Sequence, residues 1–157
     1  MSVAVVVGNS KPRSRTWQAA HLVAEKITGS QADLSADLVD LGAALLDWQD
    51  QQVAELVAAV AASDLLIVAS PTYKATYTGL LKLFLDRIAG GALAAVTAVP
   101  VMLGGDWRHS LAADMLLKPV GRAGQAPAIG PRRARGTWRF LRILRHVRAA
   151  DAGSGLA

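Results

Sequence analysis

Residues 65–86 read LLIVASPTYKATYTGLLKLFLD, and this stretch decides the fold. The apolar run from Leu65 to Ala69 predicts a buried strand, and the apolar pattern of residues 78–88 predicts a helix. A strand that passes through a tight polar turn into a helix is typical of parallel sheets, whose ligand loops lie at the carboxyl ends of the strands. The turn from Pro71 to Lys74 offers N–H groups, a hydroxyl, an aromatic face and a cation, which suit a flat ring bearing a phosphate.

The rest of the first 120 residues repeats this alternation of strand and helix. Further strands are predicted over residues 3–7, 36–41 and 96–103, and further helices over 15–28, around 53–60 and over 108–120. The order β-α-β-α-β-α-β-α predicts an α/β fold, a doubly wound parallel sheet with right-handed crossovers. Three loops would then meet at the carboxyl edge of the sheet: residues 8–16, 71–74 and 104–109.

Composition limits the class of protein. The chain has 157 residues, 52% hydrophobic and 18% charged, which predicts a single globular unit with a full core. Because there is no cysteine, disulfides, thiolate nucleophiles and cysteine metal sites are excluded. The N-terminus lacks the basic region of a signal peptide, and residues 90–105 are too short and broken for a membrane span. We therefore expect a cytoplasmic protein.

Each of the three loops allows two interpretations. Residues 8–16, GNSKPRSRT, offer hydroxyls, a cation and the free N–H groups of a helix start, which suit a phosphate, but an ordinary capped loop also explains them. Tyr73 and the glycines at 104 and 105 fit either a ligand contact or a plain surface turn, and His109 is interpreted as a polar helix-terminal residue. No residue pattern in the sequence matches a GxGxxG or Walker A motif, a metal site or a catalytic triad. Any chemistry would therefore come from a bound cofactor.

The stretch SPTYKATYTGLLKLFLD, residues 70–86, resembles the signature of the NAD(P)H-dependent FMN reductases, flavodoxin-like flavin reductases that include the sulfonate-assimilation type. Residues 8–16 are similar to the N-terminal loop of that family, and residues 109–120 to its fourth helix. The resemblance implies hydride transfer from NADPH or NADH to FMN with no catalytic side chain. It also implies a homodimer or larger homo-oligomer that passes reduced FMN to a partner monooxygenase.

The resemblance further implies ten cofactor-binding residues in the three loops. The FMN phosphate would be held by Asn9, Ser14, Arg15 and Thr16. The isoalloxazine ring and ribityl chain would be bordered by Pro71, Thr72, Tyr73 and Lys74, with backbone contacts to the ring from Gly104 and Gly105. Two alternatives stay open: a quinone, azo-compound or metal-ion reductase with bound FMN, and a catalytically impaired flavin-binding remnant. The sequence leaves open both the choice of nicotinamide nucleotide and whether flavin is a substrate or a prosthetic group.

The resemblance ends at residue 120, where the composition changes. Residues 1–120 hold nine Lys and Arg against eleven Asp and Glu, whereas residues 121–157 hold eight Arg against one Asp. The first part of this second segment is rich in Gly, Pro and Arg and has no strand pattern, where the family continues with a fifth strand. We hypothesise a frameshifted or otherwise replaced terminus. A missing fifth strand would leave the fourth strand as an exposed edge and predicts low stability, oligomerisation or aggregation.

The segment also contains a candidate helix at residues 137–148. Its apolar residues lie mainly on one side of a helical wheel and its arginines on the other. Basic amphipathic helices of this kind can bind a membrane surface or nucleic acid. Because the residues before it have no organising pattern, we do not expect such binding here.

Overall fold

The computed structural model describes residues 1–123, in which strands and helices alternate along the chain. The strands are β1 (Val3–Val7), β2 (Leu34–Asp37), β3 (Leu65–Pro71) and β4 (Thr97–Leu103). The helices are α1 (Arg15–Thr28), α2 (Gln51–Ala61), α3 (Gly79–Leu85) and α4 (Lys118–Ala123). Short 3-10 turns lie at Leu38–Asp40, Gly42–Leu46 and Trp107–His109, and a π-helical turn lies at Ala113–Leu117. None of these helices is long and apolar enough to cross a membrane.

The four strands form one parallel sheet in the order β2-β1-β3-β4. This arrangement confirms the predicted doubly wound α/β fold. Chain connections run in opposite directions on either side of β1 and β3, so the switch point at which such sheets bind ligands lies between these two strands. Within residues 1–123, β4 has a single neighbouring strand, β3.

Apolar side chains fill both faces of the sheet. Ala4 and Val6 of β1 join a core formed with α2 and α3, in which Phe84 is the largest fully buried side chain. The alternate residues of β1 pack instead against α1, where Ala20 and Ala24 are buried. All five residues of β1 are buried, as expected for a continuous apolar run in a central strand.

Two predicted elements differ most from those observed. The second strand was expected over residues 36–41, which is wrong by two residues at its start and four at its end. Leu38 turns into the core as the start of a 3-10 turn, so the apolar pattern continues after the strand has ended. The helix expected over 108–120 is wrong as a single element. A π-helical turn interrupts it, and Ala112 and Leu117, five residues apart, are both buried.

The hypotheses about the C-terminal segment, including the altered terminus from residue 121 and the basic helix at 137–148, concern residues that lie almost entirely outside those described. They stay predictions.

Candidate functional site

The loops that follow β1, β3 and β4 are joined to one another at the carboxyl edge of the sheet. The Gly8 N–H donates to the carbonyl oxygen of Ala69 at 2.8 Å, and the Thr72 N–H donates to that of Leu103 at 2.7 Å. The Thr78 hydroxyl donates to the Gly8 carbonyl oxygen at 2.6 Å. All ten residues predicted to bind a cofactor lie in these three loops or at the ends of the elements beside them, namely Arg15 and Thr16 in α1 and Pro71 in β3. The structure therefore brings them to one edge.

Side chains of the loop over residues 8–16 shape the loop itself. Asn9 is buried; its Oδ1 accepts from the Lys11 N–H at 3.0 Å, and its Nδ2 donates to the Thr16 hydroxyl at 3.2 Å. The Ser14 hydroxyl caps α1 by accepting from the Trp17 N–H at 3.3 Å. These polar side chains therefore make their hydrogen bonds within the loop and at the start of α1, and these bonds hold the loop backbone in place.

The backbone at the start of α1 is left with donors that have no partner. Among residues 1–123, no atom accepts a hydrogen bond from the backbone N–H groups of Ser14, Arg15 or Thr16. Successive free N–H groups at the start of a 14-residue helix favour an anion, because the helix dipole is positive there. Arg15, Lys11 and Lys74 are exposed cations of this edge that form no ion pair within the described part of the chain. The edge is therefore suited to a phosphate.

The loop after β3 contains a strained tight turn. The backbone groups of Tyr73 and Thr76 bond each other at 2.9 and 3.1 Å, while Lys74 and Ala75 adopt φ values of 50° and 67°. Two positive φ values in succession are the geometry of a type I′ turn, which normally contains Asn or Gly. Tyr73, at the start of this turn, is 51% exposed at the sheet edge.

Replacing Ala75 by glycine should stabilise the protein, because glycine adopts a φ of 67° without the steric cost borne by alanine. We expect the free energy of unfolding to rise by roughly 0.5–1 kcal/mol. Thermal unfolding monitored by circular dichroism measures the change. Thr76→Gly is the matched control, since Thr76 has no positive φ and should lose stability. A lower melting temperature for Ala75→Gly would contradict the strained turn.

Three buried side-chain atoms in the described residues lack a hydrogen-bond partner: Asp37 Oδ1, Thr72 Oγ1 and His109 Nδ1. Asp37 ends β2, Thr72 follows β3, and His109 lies in the loop after β4. An unpaired buried polar group costs about 1–3 kcal/mol, so such groups are rare and call for an explanation. All three lie at or after the carboxyl ends of strands, where each has the capacity for one more hydrogen bond.

The loop after β4 depends on a close approach at Gly104. A Cβ atom at this position would lie 2.6 Å from the Cβ and 2.9 Å from the Nδ1 of His109, whose side chain folds back over the loop. Gly105 has open space around it. His109, interpreted from the sequence as a polar helix-terminal residue, is partly buried and packs on the backbone of the candidate site.

A family model described as NADPH-dependent FMN reductase matches residues 1–138. This chain belongs to that family. The match confirms the resemblance and extends beyond residue 120, where the likeness was expected to end.

Individual reductases agree with this assignment. An FMN reductase (NADPH) of Pseudomonas putida is 40% identical over 108 residues, which are 69% of this chain and 52% of that protein. The NADH-dependent FMN reductase SfnF of Pseudomonas putida is 32% identical over 126 residues, 75% of this chain and 68% of that protein. Among solved structures, apo NADH:FMN oxidoreductase EMOB is 37% identical, with a TM-score of 0.67, over 78% of this chain and 68% of that one. The chain therefore spans between half and about two thirds of the length of these relatives.

Two residues that join the loops of this FMN reductase family member were not assigned a role from the sequence. The fully buried Ser70 hydroxyl donates to the Pro71 carbonyl oxygen at 2.8 Å and accepts from the Thr78 N–H at 3.0 Å. Thr78 caps α3, because its hydroxyl also accepts from the Leu81 N–H at 3.1 Å. A threonine before a glycine and an apolar helical run is an N-cap signal that could have identified this role.

A groove elsewhere on the reductase fold does not include the predicted residues. It has a volume of about 330 Å³, lies between α1 and the outer strand β2, and is lined by Trp17, His21, Glu25, Gln31, Ala32 and Ser35. Both ring nitrogens of His21 are already bonded, one to the Trp17 carbonyl oxygen and one to the Ser35 hydroxyl, each at 2.9 Å. The carboxyl edge of the sheet, with its unpartnered donors, is the better candidate site.

Proposed function

We propose that this chain is an NAD(P)H-dependent FMN reductase whose cofactor lies across the loops after β1, β3 and β4. The observation that carries the proposal is the set of unpartnered N–H groups at Ser14, Arg15 and Thr16, at the same edge as the exposed Tyr73 ring. A phosphate on those groups and a flat ring beside Tyr73 match the two ends of FMN. Family membership supports the same assignment.

Each loop has a distinct role in this proposal. The start of α1 and the Arg15 side chain bind the phosphate, while residues 71–74 border the ring and the ribityl chain. The backbone at Gly104 and Gly105 lies beside the ring, where N–H dipoles favour negative charge on it. FMN, when bound, supplies the chemistry by accepting a hydride from the nicotinamide. The protein contributes binding, orientation and a fixed electrostatic environment.

Arg15→Ala should weaken FMN binding about tenfold, because it removes the unpaired cation nearest the free N–H groups. Riboflavin, which has no phosphate, should bind the variant within about twofold of its original affinity. Titration followed by flavin fluorescence measures both dissociation constants. Lys26→Ala, in the last turn of α1, is the matched charge control and should change neither. Equal losses for FMN and riboflavin would argue against a phosphate role for Arg15.

We extend the proposal on the family resemblance to three further properties: a homo-oligomeric assembly, a cytoplasmic location and delivery of reduced FMN to a monooxygenase. One of the relatives is named for NADPH and another for NADH. They therefore support a nicotinamide nucleotide as the reductant without favouring either of the two. Turnover of NADPH and NADH with FMN as acceptor would make that choice. Turnover with a quinone but not with free FMN would favour a quinone reductase instead.

A further inference from the structure

A buried carboxylate holds the loop that precedes the free N–H groups. Asp37, the last residue of β2, is only 3% exposed. Its Oδ2 accepts two hydrogen bonds from one residue, the Arg13 backbone N–H at 2.9 Å and the Arg13 Nη1 at 3.2 Å. The sheet register makes this contact possible, because Asp37 lies opposite Val7, just before the chain leaves β1 as the loop.

Arg13 is held in an unusual conformation by further contacts. Its φ of 47° is in the left-handed region, which non-glycine residues rarely adopt. Its Nη2 donates to Asp40 at 3.0 Å, and its guanidinium lies 4.4 Å from the centre of the Trp17 ring. Arg13 thus forms ion pairs with two carboxylates, although its side chain is 58% exposed, whereas Arg15 has no ion pair among the described residues.

We propose that Asp37 and Arg13 are positioning residues that set the preference of this site for a phosphorylated flavin over riboflavin. The proposal rests on the proposed function. The left-handed backbone at Arg13 determines the direction in which the chain enters Ser14, and hence where the N–H groups of residues 14–16 point. If Arg13 relaxed to a negative φ, the directions of those groups would change. Only the phosphate would lose contacts, because the loops after β3 and β4 bear no hydrogen bond to Arg13.

The test compares the dissociation constants of FMN and riboflavin for the full chain and its variants by flavin fluorescence. For Asp37→Leu, which keeps the approximate volume but removes the oxygen that accepts both hydrogen bonds from Arg13, we expect the preference for FMN to fall about tenfold while riboflavin affinity stays within about twofold. Asp40→Leu is the matched control. Its carboxylate is 53% exposed and bonds only the outer end of Arg13, so the preference should stay within about twofold.

A second pair of variants separates the conformation of Arg13 from its charge. Glycine adopts a φ of 47° freely, so Arg13→Gly should keep more of the FMN preference than Arg13→Ala, although both lose the guanidinium. If Asp37→Leu does not fold, this pair of Arg13 variants provides the test. An unchanged preference in both Asp37→Leu and Arg13→Ala, or equal losses for the two flavins, would overturn the inference. Failure of the unmodified chain to bind FMN would instead overturn the proposed function, and the inference with it.

Discussion

Gly8→Ala should be the most damaging single substitution in the described part of the chain. A Cβ atom at Gly8 would lie 2.4 Å from the Leu81 Cβ, 2.9 Å from its Cα and 3.0 Å from its backbone nitrogen. Because two of these atoms are backbone, relief requires α3 to move away from the sheet edge. We expect the free energy of unfolding to fall by about 3 kcal/mol, and FMN binding to be lost with the geometry of the first two loops. Urea denaturation and an FMN titration measure the two effects.

Gly79→Ala is the matched control for this substitution. Gly79 is the first residue of α3, has no atom within 4 Å of an added Cβ and has no positive φ. Alanine favours a helix over glycine, so this variant should be as stable as the original chain or more stable by up to roughly 1 kcal/mol. If Gly8→Ala proved as stable as Gly79→Ala, the close packing of α3 on the end of β1 would be wrong.

Thr78→Val should destabilise the protein by a similar amount. Valine keeps the shape of threonine, but it leaves the Gly8 carbonyl oxygen without the bond now made at 2.6 Å and the Leu81 N–H without its cap at 3.1 Å. Both groups are buried, so we expect a loss of about 3 kcal/mol in the free energy of unfolding. FMN affinity should fall as well, since this hydroxyl joins the loop after β1 to the loop after β3.

Thr78→Ser separates the hydroxyl from the packing of the threonine methyl group. Serine retains both hydrogen bonds and should recover most of the stability and most of the FMN affinity lost in Thr78→Val. Urea denaturation of the two variants under the same conditions gives the comparison. Equal losses in both would show that the methyl group, and not the bridge between the loops, is what matters at this position.

Features set by neighbouring residues were predictable from the sequence. Helix α1 runs from Arg15 to Thr28 as predicted, because Ser14 supplies the N-cap and Gly29, with a φ of 74°, ends the helix. Strand β1 likewise has its predicted limits, because a run rich in β-branched residues favours a buried strand and Gly8 follows its end. The three loops could be placed at one edge because parallel strands share a carboxyl end.

Features set by distant residues were not predictable in this way. The bond from Arg13 to Asp37 joins residues 24 apart, and it depends on β2 ending at Asp37, whereas the strand was predicted to continue to residue 41. The turn at Lys74 and Ala75 has positive φ values without the Asn or Gly that would signal it. In both cases packing elsewhere in the fold holds a local conformation that the local sequence does not favour.

The structure places the predicted cofactor-binding residues at one edge of the sheet, and their roles in binding stay a prediction. Of the residues that the resemblance assigns to the phosphate, Ser14 and Thr16 lie at the start of α1, and Asn9 lies in the loop before it. Their side-chain groups, however, bond within the loop, so the free donors are backbone N–H groups. The roles of these residues in binding FMN stay a prediction, and the arrangement favours a backbone contribution at residues 14–16.

An anaerobic titration of the full chain with FMN, followed by NADPH or NADH, tests the central claim most directly. If the carboxyl edge of the sheet is a flavin site, FMN fluorescence will change saturably on binding, and the yellow absorbance of the flavin will bleach when the nicotinamide nucleotide is added. A folded chain that leaves FMN free in solution, or that binds it without reduction by either nucleotide, would contradict the assignment of this site to an FMN reductase.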